Sequence, residues 1–438
     1  PPPLPQTSRD DLLAAVKEYA DANPGTGWIR MCCFPPRIYV SGTDGPNKRD
    51  LDAIVPDRPV WIHSRSWHSY WLNSKGLETL GVDENTPDPR SGIAVYDRDE
   101  NGDLTGWVKE GAGWQHFANE FKIDPETHTM GMKTALKTLS EHGITTVYDG
   151  GNFGYEDEVY GFLAELEKNG ELPLRYEGTY QVFIPERRDL AIKEMKRLRK
   201  AYGGERLRFR TIKLFMDGVN SNRSGGMLEP YLDNPEYVGR TMLTTAELRD
   251  FLLELHEEEL DLHVHAVGDL SVQTILDAVE AAQAAVKGDF YPRVTIAHLH
   301  MVDPKDSARF AELGVSANFT PWWHRMNRNP GADPDPVLGE ERLKRYFSVK
   351  SLLDTDANVT FSSDDWRLHV LTPFLGIQTG HNRQAPQEGL AEKVSDDPAP
   401  KPLDPNSPDL DQMIKGYTIS GAYPFRMEDQ IGSIEAGK

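Results

Sequence analysis

Nine titratable residues in this chain stand at or just past the ends of short apolar runs: Asp149, Lys213, Asp217, His263, His265, His298, His300, Asp364 and Asp365. Two imidazoles and a carboxylate from separate segments make the donor set of a zinc or manganese shell. An ion held that way acidifies water and polarises carbonyls, which is the chemistry of hydrolysis. His263 and His265 are two residues apart, as are His298 and His300, so on strands each pair shares a face. Four imidazoles exceed what one tetrahedral ion takes, so some of them must do something else. Each residue also has a plainer use. A strand-end histidine is often just a satisfied polar group, Asp364 could cap a helix, and Lys213 could pair with Asp217 or Asp149. Trp67, Trp322, Trp323 and Trp366 lie near run ends or in the N-terminal third. They could wall a pocket, or simply pack.

The elements that must carry these residues set in at about residue 140. Seven apolar, β-branched runs recur (144–149, 174–183, 207–216, 260–267, 293–300, 315–320 and 358–364), separated by helical patterns such as TAELRDFLLELHEEE and SVQTILDAVEAAQAAV. Strands alternating with helices of that length predict right-handed βα units and a parallel sheet. Active sites of such barrels sit at the C-terminal strand ends, where the nine residues fall. A closed (β/α)8 barrel needs one strand more than is visible. Before residue 120 the rhythm is absent. WIRMCC, VWIHS and a hairpin turning at Asn101–Gly102 predict an α/β insertion over residues 1–120, with the barrel core over 121–438. A capped helix is expected from Thr7 or Ser8 to about Ala22, a surface loop over 384–411, and a last helix near 409–421.

Composition bounds the partners. Of 438 residues, 48 are Lys or Arg and 69 are Asp or Glu, a net charge of −21, which argues against nucleic acid or an anionic membrane. No apolar run reaches the roughly 20 residues that span a bilayer, and the first residues lack the pattern of a signal peptide. Cys32 and Cys33 are adjacent, and neighbours rarely pair, so no disulfide is expected. A reducing, cytoplasmic setting is the inference.

The strings IKLFMDGVNS (212–221), HVHAVGDLSVQTILDAVE (263–280), VTIAHLHMVDPKDSARFAELGV (294–315) and FSSDDW (361–366) resemble the amidohydrolase superfamily. The resemblance is narrower still to its amidohydrolase-3 branch of N-substituted formamide deformylase-like enzymes. LDAIVPDRPVWIHSRSWHSYWLNSKGLETLGV (51–82) and GAYPFRMEDQIGSIEAGK (421–438) match the same branch. The resemblance implies a (β/α)8 TIM-type barrel holding one or two divalent ions, zinc foremost. It implies Lys213, His265, His298 and Asp364 as ligands, with Lys213 carboxylated by CO2 as a bridge and Asp364 also moving the proton. It places His68 toward the substrate and leaves His263 and His300 outside the ligand set. His300 and Trp67 stand where many relatives have Gln and Gly, so both are expected at the pocket. Members carry an HxH pair on a first strand and a β-sandwich built from both termini. Neither is visible here, so strand one and the sandwich are expected to be missing and the chain to be a fragment.

The expectation is a metal-dependent hydrolase that cleaves a C–N bond in an amide, formamide or cyclic amide of a small-molecule substrate, with a homodimer allowed. The rivals are a non-catalytic binding relative with an incomplete metal site, and a metal-dependent esterase or C–C hydrolase on the same scaffold.

Overall fold

The computed structural model describes residues 8–34, 45–324, 337–365, 372–383 and 407–438. Its N-terminal part is a mixed five-stranded sheet of β1 (Ile29–Phe34), β2 (Val60–Ser64), β3 (Ser69–Leu72), β4 (Val95–Arg98) and β5 (Leu104–Lys109), in the order β1-β2-β3-β5-β4. Every residue of β2 is buried because both faces are covered. Val60 and Ile62 meet Leu12 and Val16 of the helix Arg9–Ala22, while Trp61 faces a second cluster with Tyr70, Trp114, Phe183 and Phe215. The hairpin β4–β5 turns where expected, with Gly102 at φ 87° donating its amide to Asp99.

The remaining strands are β6 (Thr146–Tyr148), β7 (Arg175–Glu177), β8 (Gln181–Val182), β9 (Leu207–Arg208), β10 (Thr211–Phe215), β11 (Asp261–Ala266), β12 (Val294–His298), β13 (Ser316–Phe319) and β14 (Val359–Phe361). All pair in parallel, as β6-β7-β9 and as β8-β10-β11-β12-β13-β14. β7 and β8 are two pieces of one run, and so are β9 and β10. The two sheets are therefore one arc of seven parallel staves in chain order, the seven runs read from the sequence. Among the described residues no strand joins β14 to β6, so the arc is not closed as a (β/α)8 barrel would be.

Outward-facing Ile212, Leu214, Leu262, Val264 and Ile296 pack against Leu248, Phe251, Leu252, Val272, Ile275 and Val279 of the surrounding helices in one continuous core. That packing leaves the inward positions, Lys213, His263 and His265 among them, to polar residues. The closing segment grips the opposite end of the arc: Arg426 forks onto Asp261 at 2.7 and 2.9 Å, and Arg293 pairs with Glu428 at 2.8 Å. The last helix spans Leu410–Tyr417, followed by a turn of helix at Ile419–Ala422. The loop expected over 384–411 lies mostly outside the described residues. No described helix is long and apolar enough to cross a membrane.

One expectation is overturned here. Cys32 and Cys33 form a disulfide with each other. On a regular strand neighbouring side chains point to opposite faces, but β1 shifts register against β2 between Met31 and Phe34, and Cys33 sits at φ 76°. The bulge undoes the alternation and brings both sulfurs together, so the cysteines no longer argue for a reducing compartment.

Candidate active site

The inward residues of β10, β11 and β12 meet at the C-terminal mouth of the arc. Parallel register places Lys213 beside His263 and Phe215 beside His265, while Ala266 pairs with His298. The imidazoles of His265 and His298 touch edge to face, with centroids 4.4 Å apart. His265 Nε2 lies 3.3 Å from the Gly218 carbonyl oxygen, which makes Nε2 the donor and leaves the lone pair on Nδ1. Among the described residues His298 Nδ1 is buried with no hydrogen-bond partner, and it lies 3.9 Å from Asp364 Oδ2 across the next two staves. Burial and the neighbouring cations hold His263, His265 and His298 well below the usual imidazole range, so all three are neutral.

Lys213 is 4% exposed, and burial pushes its amine down to about 8, with Asp364 opposing the shift. Asp364 is pushed up to about 6 by the surrounding protein. Lys213 and His68 pull it back, and 47% of its side chain is open, so water further moderates the shift. The resemblance set His263 outside the ligands, and the strand period put it on the face of His265. It lies on that inward face one layer deeper, its Nδ1 3.4 Å from Lys213 Nζ and its ring 4.5 Å from Tyr148. His298 and His300 do not share a face. β12 ends at His298 with φ 78°, Leu299 follows at φ 48°, and the alternation stops there. His300 turns to Tyr346, whose hydroxyl is 2.7 Å from its Nδ1.

The plainer uses sort out differently. Lys213 is not paired with Asp217. That carboxylate is buried, accepts the amides of Val267, Gly268 and Gly226, and is pushed up to about 7 by burial. Asp149 serves its own loop through Gly151 N and Asn152 Nδ2. Trp323 stacks on His298 at 5.5 Å and meets His300 edge-on at 5.6 Å, while Trp322 sits partly buried in the same turn. Trp67 is on the rim, 44% exposed and 4.6 Å from the His63 ring. Trp366 lies outside the described residues, and Asp365 stands partly buried beside Asp364.

The small sheet supplies the cover. His68 stands 5.3 Å from His265, and Trp114 lies 4.8 Å from Phe215, which itself stacks on His265 at 5.0 Å. Behind His68 is a residue the sequence reading missed, Glu110, 1% exposed and 2.5 Å from His68 Nδ1. Its only sequence signal is an acid placed between the end of a hairpin strand and the small apolar segment GAGW.

In kind, these donors suit a divalent ion: two neutral imidazoles, one with a buried nitrogen unpartnered among the described residues, a carboxylate, and an amine that burial shifts toward the free base. In position, no three His, Cys, Asp or Glu side chains among the described residues are gathered tightly enough to hold an ion.

A parallel βα arc with its polar residues at the C-terminal mouth is an architecture of the TIM-barrel type. The chain belongs to the amidohydrolase family, whose model matches residues 1–438. It is 30% identical over 321 residues to the exoenzymes regulatory protein AepA of Pectobacterium carotovorum subsp. carotovorum, covering 72% of this chain and 67% of that one. It is 23% identical over 472 residues to the N-substituted formamide deformylase of Arthrobacter pascens, covering 100% of this chain and 77% of that one. In structure it is similar to an uncharacterized metal-dependent hydrolase from Pyrococcus horikoshii, with a TM-score of 0.63 and 22% identity over 98% of this chain and 77% of the other.

Proposed function

We propose that the chain is a metal-dependent hydrolase that opens a C–N bond in a small molecule: an amide, a formamide or a cyclic amide. The observation that most supports this is the meeting of His265, His298 and Asp364 at neighbouring strand ends with buried Lys213 beside them. One or two divalent ions, zinc for so imidazole-rich a set, held by these side chains and by Lys213 in carboxylated form, would polarise a carbonyl and acidify water. The chain's own groups do the rest. Asp364 would take the proton from the attacking water and return it to the leaving nitrogen. An amine leaves an acyl centre only once protonated, so an acid at that spot serves C–N cleavage more than ester cleavage. Phe215, Trp114 and Trp323 wall the mouth beside His265 and His298. The N-substituted formamide deformylase relative lends the choice of bond its name, and the AepA relative carries that of a regulatory protein.

That second name, together with the loosely gathered donors, favours one alternative: a relative that binds a ligand without turning it over. Purified protein assayed on formamides, N-acyl amines, cyclic amides and aryl esters, with and without chelator, decides between them. Chelator-sensitive release of an amine supports the hydrolase. Metal and ligand binding with no product from any member of the panel supports the binding relative, and ester cleavage alone refutes the C–N assignment.

A further inference from the structure

The N-terminal end of the arc, opposite the donors, contains a groove of about 810 Å³ whose charge runs against that of the chain. Five arginines line it, Arg175, Arg199, Arg206, Arg208 and Arg210, against two glutamates, Glu205 and Glu259, in a protein of net charge −21. The topology gathers them. Arg175 opens β7, the Arg206 carbonyl accepts the next amide of that strand, Tyr176 N, at 2.8 Å, and Arg208 is level with Glu177. Arg175 and Arg206 therefore head adjoining staves, whose backbones lie about 4.8 Å apart. Arg199 comes from the last turn of the helix Pro185–Tyr202 and donates Nε to the Phe209 carbonyl at 2.8 Å. Like charges placed this closely repel. Elsewhere on the same helix the repulsion is relieved: Arg187, Arg188 and Arg197 each hold a carboxylate at 2.7 Å. Among the described residues none of the five groove arginines has an ion-pair partner. Arg206 and Arg208 donate only to backbone, to the Leu172 and Glu205 carbonyls at 3.1 Å. The neighbouring acids are engaged otherwise. Glu167 accepts the amides of Arg206 and Leu207, and Asp261 is forked by Arg426. Glu177 accepts the Arg210 amide, and burial pushes its carboxyl up to about 7 against the pull of Arg210 and Arg208.

We propose that this groove binds a small polyanion carrying two or more linked phosphates, held in the arginine forks at the N-terminal end of the arc. Paired guanidinium N–H groups match phosphate oxygens two at a time, and the volume is that of a site for a nucleotide-sized molecule. A single phosphate reaches only one or two of the arginines, whereas a chain of phosphates bridges several. A nucleic acid strand fits less well, because beyond the groove it would run over a protein of its own sign. The proposal does not rest on the C–N reading, since no groove residue belongs to the donors at the other end.

Calorimetric titration of the full chain with tripolyphosphate, ATP and orthophosphate tests this. The protein is first stripped of metal, so that the phosphates do not chelate an ion at the mouth. Tripolyphosphate or ATP is expected to bind once per chain, at least about tenfold more tightly than orthophosphate, and to weaken as salt is raised. Comparing the first two tells a nucleotide from a bare phosphate chain, and tight binding of either supports the site. Among the described residues neither the Arg175 nor the Arg210 side chain makes a hydrogen bond or ion pair. The double variant Arg175→Gln/Arg210→Gln is therefore expected to unfold at the same urea concentration as the original and to bind at least about tenfold more weakly. Lys213→Ala, at the other end of the arc, is expected to bind as the original does. Absence of binding at millimolar concentration, equal affinity for orthophosphate, or full affinity in the folded double variant overturns the proposal. Should the double variant not fold, Lys213→Ala still decides, since loss of binding there puts the anion at the mouth and refutes the groove. An oligonucleotide that binds more tightly than tripolyphosphate overturns the small-molecule assignment.

Discussion

The stave that carries Lys213 is broken at residues 209–210, and a buried acid plugs the break. Glu177, 4% exposed at the end of β7, accepts the Arg210 amide that the interrupted ladder leaves over, and burial pushes its carboxyl up to about 7 from 4.5. A carboxyl whose native pKa lies above its unfolded one binds more protons folded than unfolded, so its contribution to stability falls as pH rises from about 4.5 to about 7. With those two values, the loss between pH 5 and pH 8 is about 2.5 kcal/mol. Glu177→Gln keeps the oxygen that accepts from Arg210 but does not titrate. Chemical unfolding of both proteins at pH 5 and pH 8 isolates the group, because every other titration is common to the pair. The substituted protein is expected to gain about 2.5 kcal/mol on the original over that interval. Differences that stay constant with pH refute the reasoning, and a gain in the opposite direction means that Arg208 and Arg210, not burial, govern this carboxyl.

Lys213→Ala and Lys213→Arg should both lose activity and bound metal together, since neither side chain can be carboxylated; full metal content and near-normal turnover in the Arg variant end the carbamate idea. Trp323→Ala removes the ring stacked on His298 and should raise KM about three- to tenfold with less change in kcat, an aromatic pair being worth about 0.5–1.5 kcal/mol. Unchanged kinetics would make Trp323 packing only. Arg426→Ala strips a forked partner from Asp261, which is 2% exposed, and should cost about 2–3 kcal/mol in urea unfolding; a loss below about 0.5 kcal/mol would mean that the Arg293 amide alone satisfies the carboxylate.

How far the sequence could be read depended on the range of the interaction. The seven staves were legible because each is a local apolar run between helical periods, and the strand-end residues followed from them. The strand period of two put His263 on the face of His265, but its neighbour across the sheet, Lys213, is a register fact. His298 and His300 break that period, since the left-handed backbone at 298 and 299 ends the strand between them. The pairing of Cys32 with Cys33 depends on a bulge against β2, a register fact that no local pattern carries. Glu110 was invisible for a different reason. Its partners Ser224 and Asn222 lie more than 100 positions away, and only the folded arc brings them to it.

Those long-range contacts also bear on how the two parts of the chain cooperate. The donors His265 and His298 belong to the arc, while His68 and Glu110 belong to the small sheet, and both groups meet at Gly218 and its neighbours. Gly218 offers its carbonyl to His265, and a Cβ there would lie 2.3 Å from Glu110 Oε1 and 2.2 Å from Ser224 Oγ. No side chain fits at that crossing, which lets the carboxylate approach the backbone that orients the imidazole. The loop after β10 therefore couples the cover to the donors through backbone, not through a side chain that substitution could trim. Gly218→Ala should accordingly disturb the Glu110–His68 contact and the metal affinity together, though residue 218 would be neither ligand nor proton carrier. A folded Gly218→Ala protein that alters one of these and leaves the other intact would show that the small sheet and the arc act on the substrate independently.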